Sequence, residues 1–197
     1  MNKIIILGAG GHGRVAADIA RLCCYDEILF LDDADISGTA GKIADHMKFA
    51  EEADFFVAIG NNATRREFQQ MLQKNGCNVI SLIHPNAVLG SNVCIGAGTV
   101  IMAGVIVNTG AFIGSGVILN TACSVDHDCR IGDFSHVSVG AHLAGTVTLG
   151  NQVLVGAGAT IINNMTVTDD CVIGAGAVVI RDIDIKGTYV GVPAKKI

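Results

Sequence analysis

Two hydrophobic rhythms run along the chain, and one gives way to the other near Leu82. Before that point, short apolar runs of buried-strand type stand at Lys3 to Leu7, Ile28 to Leu31 and Phe55 to Ile59. The stretches between them are long enough for crossover helices, which predicts a small parallel βαβ domain. Its helices are expected over about His12 to Cys23 and Ala63 to Asn75, the second stopped by Gly76 as a left-handed cap residue. After that point, every sixth residue from Ile83 to Val179 is Ile, Leu or Val without exception. Four residues beyond each of these knobs the side chain is small or compact almost throughout, and Cys123, Cys129 and Cys171 fall in that set. A period of six fits neither a helix of 3.6 residues per turn nor a meander of hairpins. It fits a solenoid in which each hexad makes one short strand and one corner, and three hexads close a triangular coil. At ~4.8 Å per stacked layer the prism is about 27 Å tall, with no long loop leaving it.

Charge marks the same boundary. Residues 1–82 hold 8 Lys/Arg and 11 Asp/Glu, whereas residues 83–180 hold only Asp126, Asp128, Arg130, Asp133, Asp169 and Asp170. The expected organisation is an α/β, Rossmann-like domain over 1–82, followed by a parallel β-helix of hexapeptide repeats with a short tail over 83–197. The formal net charge of -5 argues against a nucleic-acid binder that works by neutralising phosphates. No apolar run approaches the ~20 residues of a spanning helix, and Ile4 to Leu7 is too short for a secretory core, so neither membrane insertion nor export is expected. The seven cysteines are odd in number and lack CxxC spacing. They read as reduced thiols of a cytoplasmic protein, and a zinc site built from them is not expected.

Chemistry concentrates in two places. On the otherwise uncharged prism, Asp126, His127, Asp128, Arg130, Asp133 and His136 crowd together. His127 is the candidate general base, since imidazole accepts a proton near neutral pH, and a carboxylate beside it would orient the ring and raise its basicity. Asp128 and Asp126 both stand next to it, and the spacing does not choose between them. In the first domain, Gly8-Ala9-Gly10-Gly11-His12-Gly13 satisfies G-x-G-x-x-G between a strand and a helix, with Asp32 and Asp33 about twenty residues on. Glycines there let a phosphate approach the N–H groups of a helix start, and a carboxylate can bind a ribose or base donor. A UDP-sugar presents the same groups as NAD, and a domain this short lacks the second half of a dinucleotide fold. Asn61 and Arg65, near the start of the later helix, could add a second anion contact. After residue 180, Arg181, Lys186, Lys195 and Lys196 outnumber Asp182 and Asp184 and could receive phosphates. His46 and His84 have no comparable context and read as surface or boundary residues.

The unbroken hexads and the closing Gly191-Val192-Pro193-Ala194-Lys195 resemble the left-handed β-helix acyltransferases of the hexapeptide-repeat superfamily. Handedness comes from that resemblance alone, since parallel crossovers in general favour the right hand. Over the whole chain, G-A-G-G-H-G, L-D-D, I-G-N-N with a following Arg, D-H-D-C and F-S-H-V-S-V-G resemble the NeuD/PglD-type sugar acetyltransferases. That resemblance implies N-acetylation of a UDP-linked 4-amino sugar by acetyl-CoA, giving UDP-N,N'-diacetylbacillosamine, while other members O-acetylate sialic acid. It implies no metal, and a homotrimer with sites between subunits. It makes His127 the base with Asp128 in the place of the family's Glu, His136 an acetyl-CoA contact, and Gly145, Ala157 and Ala175 backbone contacts to acetyl-CoA. Gly10, Gly11, His12, Asp32, Asp33 and Gly60 match sugar-nucleotide contacts. Two readings of other classes stand beside it. One is a metal-dependent hydratase using His127, His136 and His142, whose spacing departs from that family's H-x4-H; the other is a noncatalytic nucleotide-sugar binder.

Overall fold

The computed structural model describes residues 2–34 and 36–197, which fall into two compact units, one ending at Pro85 and one beginning at Asn86. The dividing point lies slightly beyond the change of rhythm, just after the short strand Leu82–Ile83.

The first unit is a three-stranded parallel sheet of order β2-β1-β3, with β1 at Lys3–Leu7, β2 at Glu27–Leu31 and β3 at Asp54–Val57. Helix α1 spans Gly11–Leu22 and α2 spans Asn62–Lys74. The central strand is fully buried at Ile4, Ile5, Ile6 and Leu7, which explains its unbroken apolar run. Helix α2 ends as expected at Gly76, whose φ of +76° suits a residue without Cβ. A 3-10 helix at Ile43–Phe49 has no counterpart in the sequence reading. It corrects the reading of His46 as a surface residue: His46 is buried, with Nδ1 3.0 Å from the Ile43 carbonyl and Nε2 2.8 Å from Asn75 Nδ2.

The second unit is a left-handed parallel β-helix. Two-residue strands succeed one another every six residues and pair in parallel with the strand 18 residues away, as Ser124 does with His142. Three faces result. The first runs from Val88–Leu89 through Ser124–Val125 and His142–Leu143 to Val178–Val179. The second runs from Cys94–Ile95 through Arg130–Ile131 to Thr166–Val167, and the third from Val100–Ile101 through His136–Val137 to Val172–Ile173. The aliphatic knobs from Ile101 to Val179 are buried, as are Cys123, Cys129 and Cys171 between them. Leu89 and Ile95 are less covered, because their coil is the first and has a neighbour on one side only. At the far end Thr188–Val190 extends the third face and Lys195–Lys196 turns back antiparallel, so the last coil is covered.

Each corner turns on one residue in the left-handed region. Glycine takes that position at Gly98, Gly104 and Gly110, but Asn92, Asp128, Thr146, Asn164 and Asp170 take it with φ between 56° and 64°. The positive φ of a type II turn is therefore supplied by glycine, by Asn and Asp, which tolerate it, and at Ala122, Phe134, Thr146 and Gln152 by residues that do not favour it.

Candidate functional site

The three edges of the prism differ in how their corner N–H groups are satisfied. On the edge between the second and third faces, side-chain oxygens form a ladder. Asp133 Oδ1 accepts the Ser115 N–H at 2.8 Å, Asn151 Oδ1 the Asp133 N–H at 2.9 Å, and Asp169 Oδ1 the Asn151 N–H at 2.7 Å. No such ladder continues along the other two edges. There, among the described residues, the backbone N–H groups of Gly145, Ala157 and Ala175 find no acceptor. Unpaired donors at exposed corners are ready to bind an external oxygen.

His127 sits on the edge between the first and second faces, with about half of its side chain exposed. Its Nδ1 lies 2.9 Å from Asp128 Oδ2. The left-handed φ of 59° at Asp128 turns that side chain back toward the ring, and Asp128 Oδ1 lies over Gly110, one coil above, where a Cβ would come within 2.6 Å of it. Asp126 does something else. Its Oδ1 accepts the His127 backbone N–H at 2.7 Å and the Asn108 Nδ2–H at 2.8 Å. The orienting carboxylate left open by the sequence is thus Asp128. With Nδ1–H donating to Asp128, Nε2 keeps its lone pair. The hydrogen bond to Asp128 holds the His127 pKa above its ordinary value; desolvation opposes it, and the charges of Asp126 and Asp128 add to the rise.

Gly145 lies one coil below His127, and a Cβ there would fall 2.5 Å from His127 Nε2. The imidazole therefore rests against the Gly145 backbone, beside its unpaired N–H. A proton acceptor and a candidate oxyanion donor share one place. Ala157 and Ala175 are stacked on another edge, between the third and first faces, and His136 stands on the third face with Nε2 3.1 Å from Asn120 Nδ2. One chain brings His127, Asp128 and Gly145 together, but not these three. His142, on the first face, has Nδ1 2.9 Å from Ser124 Oγ. Among the described residues no three His, Cys, Asp or Glu side chains are grouped as metal ligands. At the end of the prism, Arg181, Lys195 and Lys196 line a pocket of about 340 Å³ with Ile180, Tyr189 and Pro193. Lys186 is instead paired with Asp170 at 3.1 Å.

In the first unit the glycines divide by function. A Cβ on Gly13 would meet the Gly8 carbonyl oxygen at 2.0 Å, so that glycine lets α1 approach the end of β1. Gly10 and Gly60 have nothing within 4 Å of a Cβ position, which leaves their backbones open to a ligand. Asp32 accepts the Ala9 N–H at 2.7 Å and the Ala34 N–H at 2.9 Å, and so braces the glycine loop. Asp33 accepts the Ile43 N–H at 3.0 Å. Burial, together with the charge of Arg65, lowers the His12 pKa to about 4, so its ring is neutral at physiological pH; its buried Nε2 has no partner among the described residues.

Arg65 and Asn61, the candidate second anion contact, are engaged within their own loop. Arg65 is fully buried, donating to the carbonyls of Ile59 at 3.0 Å and Gly60 at 3.2 Å and to Asn62 Oδ1 at 2.9 Å. Burial lowers its pKa to about 10, still charged at neutral pH. The Asn61 side chain caps α2 by accepting the Thr64 N–H at 3.0 Å. Arg65→Met is expected to destabilise the chain by about 1–3 kcal/mol in urea unfolding, because it strands the part-buried Ile59 and Gly60 carbonyls and Asn62 Oδ1. Lost nucleotide affinity at unchanged stability would restore a direct anion contact. Asn108 carries no motif of its own; only the coil step of 18 residues, which stacks it on Asp126, marks it in the sequence.

The fold is that of the solenoids built from hexapeptide repeats, joined here to an α/β unit with an open glycine loop. The PglD N-terminal domain family matches residues 3–72. The acetyltransferase domain of PglB from Neisseria gonorrhoeae FA1090, solved in complex with acetyl coenzyme A, is 40% identical over 100% of both chains, with a TM-score of 0.96. PerB from Caulobacter crescentus, solved with CoA and GDP-perosamine, is 35% identical over 100% of this chain and 98% of its own, with a TM-score of 0.95. The UDP-N-acetylbacillosamine N-acetyltransferase of Bacillus subtilis strain 168 is 33% identical over 102 residues, and the match covers 47% of each chain, about half the length of that curated relative. The chain belongs to the NeuD/PglD-type sugar acetyltransferases of the hexapeptide-repeat superfamily.

Proposed function

We propose that this chain transfers the acetyl group of acetyl-CoA to the 4-amino group of a UDP-linked 4-amino-4,6-dideoxy sugar, giving UDP-N,N'-diacetylbacillosamine. The observation that carries the reading is the His127 ring, oriented by Asp128 and resting on Gly145 beside an unpaired N–H. The sugar amine attacks the thioester carbonyl directly. As the N–C bond forms, His127 Nε2 takes the amine proton, and Asp128 stabilises the imidazolium. The carbonyl oxygen gains negative charge and accepts the Gly145 N–H. The C–S bond then breaks, and the proton held on His127 passes to the departing thiolate. No covalent enzyme intermediate is needed.

The two units divide the substrates. The open backbones of Gly10, Gly11 and Gly60, the neutral His12 and the carboxylates of Asp32 and Asp33 serve the sugar nucleotide, while Arg65 and Asn61 shape the loop that holds it. The donors of Ala157 and Ala175, with His136, serve acetyl-CoA, and Arg181, Lys195 and Lys196 are suited to its phosphates. Because these groups lie apart from His127 on one prism, the complete site is formed between neighbouring copies in a homotrimer. Among the described residues no helix is long and apolar enough to cross a membrane. The seven cysteines are free thiols, which suits a cytoplasmic enzyme.

Thiol release from acetyl-CoA, measured over UDP-linked and GDP-linked 4-amino sugars, free amino sugars and sialic acid, tests the reading. Turnover is expected with the UDP-linked amine; turnover confined to a hydroxyl acceptor would replace N- by O-acetylation, and none with any acceptor would leave a binder. A base acts only when unprotonated, so a raised His127 pKa places the acidic limb of the rate profile above the ordinary imidazole value of ~6.5. The rate is expected to rise through that limb and then level off.

A further inference from the structure

The polar column above the candidate base holds a contact that the transfer step does not use, and any role for it rests on the proposed function, in which His127 is the base. Asn108 Nδ2 donates to Asp126 Oδ1 at 2.8 Å across one coil, and the same oxygen accepts the His127 backbone N–H at 2.7 Å. We propose that Asn108 is a positioning residue for acetyl transfer: it clamps Asp126 so that this carboxylate holds the His127 main chain and keeps a fixed negative charge beside the imidazole.

The clamp is not required to build a corner. One coil below, Ala144 stands in the place of Asp126, and the Gly145 N–H stays unpaired while the solenoid continues in register. The main chain of the His127 corner is already tied to its neighbours, Asp128 N–H to the Thr109 carbonyl at 3.0 Å and Thr146 N–H to the His127 carbonyl at 2.9 Å. Asn108 therefore adds something specific to the coil that carries the base.

What it adds is electrostatic. Donation from Asn108, then from the His127 N–H, holds the Asp126 carboxyl below the ordinary range, so it stays charged wherever the enzyme works. Asp126 and Asp128 are the charged groups that act on His127, while Thr109 and Gly145, above and below it in the same column, carry no charge. As His127 takes the amine proton, two carboxylates rather than one face the new imidazolium. A mobile Asp126 would share its charge with solvent and support that state less.

The test is an NMR titration of the His127 imidazole in the full chain, its signal assigned by loss in His127→Ala, together with steady-state kinetics. Asn108→Leu removes the donor at similar size. It is expected to lower the His127 midpoint by about 0.4 pH unit and kcat about tenfold, with KM for acetyl-CoA within about twofold. Asn108→Gln keeps an amide donor and is expected to hold the midpoint and kcat nearer the parent's than Asn108→Leu does, which a loss of packing alone would not do. A midpoint unmoved in Asn108→Leu, with His127→Ala inactive, would overturn the role of Asn108 and leave the base intact. Parental activity in His127→Ala would overturn the base reading, and the role of Asn108 with it.

Discussion

Replacing His127 by alanine is expected to lower kcat for acetyl transfer by about 10²–10⁴-fold, the range a positioned general base supplies. The side chain is exposed and contributes no core packing, so the thermal midpoint should stay close to the parent's. KM for acetyl-CoA should change little, because the candidate acetyl-CoA contacts His136, Ala157 and Ala175 lie elsewhere on the prism. Confirmed mixed trimers of His127→Ala and His136→Ala chains should regain activity if each site takes one histidine from each neighbour. Absence of recovery would count against a shared site, and a near-parental rate in His127→Ala alone would remove the base.

The second large effect comes from a single methyl group. Gly145→Ala places a carbon 2.5 Å from His127 Nε2, closer than any Cβ contact can be. Gly145 has no positive φ, so the added methyl causes no backbone strain of its own. The clash is with the far end of a side chain that can swing into solvent, so the fold should survive with little loss of stability. The ring, however, leaves the Gly145 N–H and its bond to Asp128, and such a displacement of reacting groups costs about 10²-fold in kcat. Unfolding curves like the parent's with that loss of rate are the expected result; a fully active Gly145→Ala would show that the ring does not work in the position seen.

Much of the architecture was legible in the residues. The step of six from Ile83 to Val179 specifies the solenoid because each knob can be buried only if successive hexads fold into equivalent strands. The strand runs and the glycine loop specify the α/β unit in the same way. What the residues could not separate were Asp126 and Asp128, both adjacent to His127. Equally hidden were the different fates of Gly10, open to solvent, and Gly13, pressed against Gly8. The burial of Arg65 was hidden too, because a charged residue near a helix start looks the same whether it points outward or is folded under its own loop.

The sequence by itself determined the two architectures and the corner on which the candidate base stands, since periodicity and burial are properties of residues along one strand or helix. Only the tertiary structure decided which carboxylate orients the imidazole, why Gly145 bears no side chain, and which edges keep their N–H groups unpaired. Those outcomes depend on residues 18 apart stacked in successive coils and on the left-handed backbone of Asp128, neither of which chain neighbours dictate.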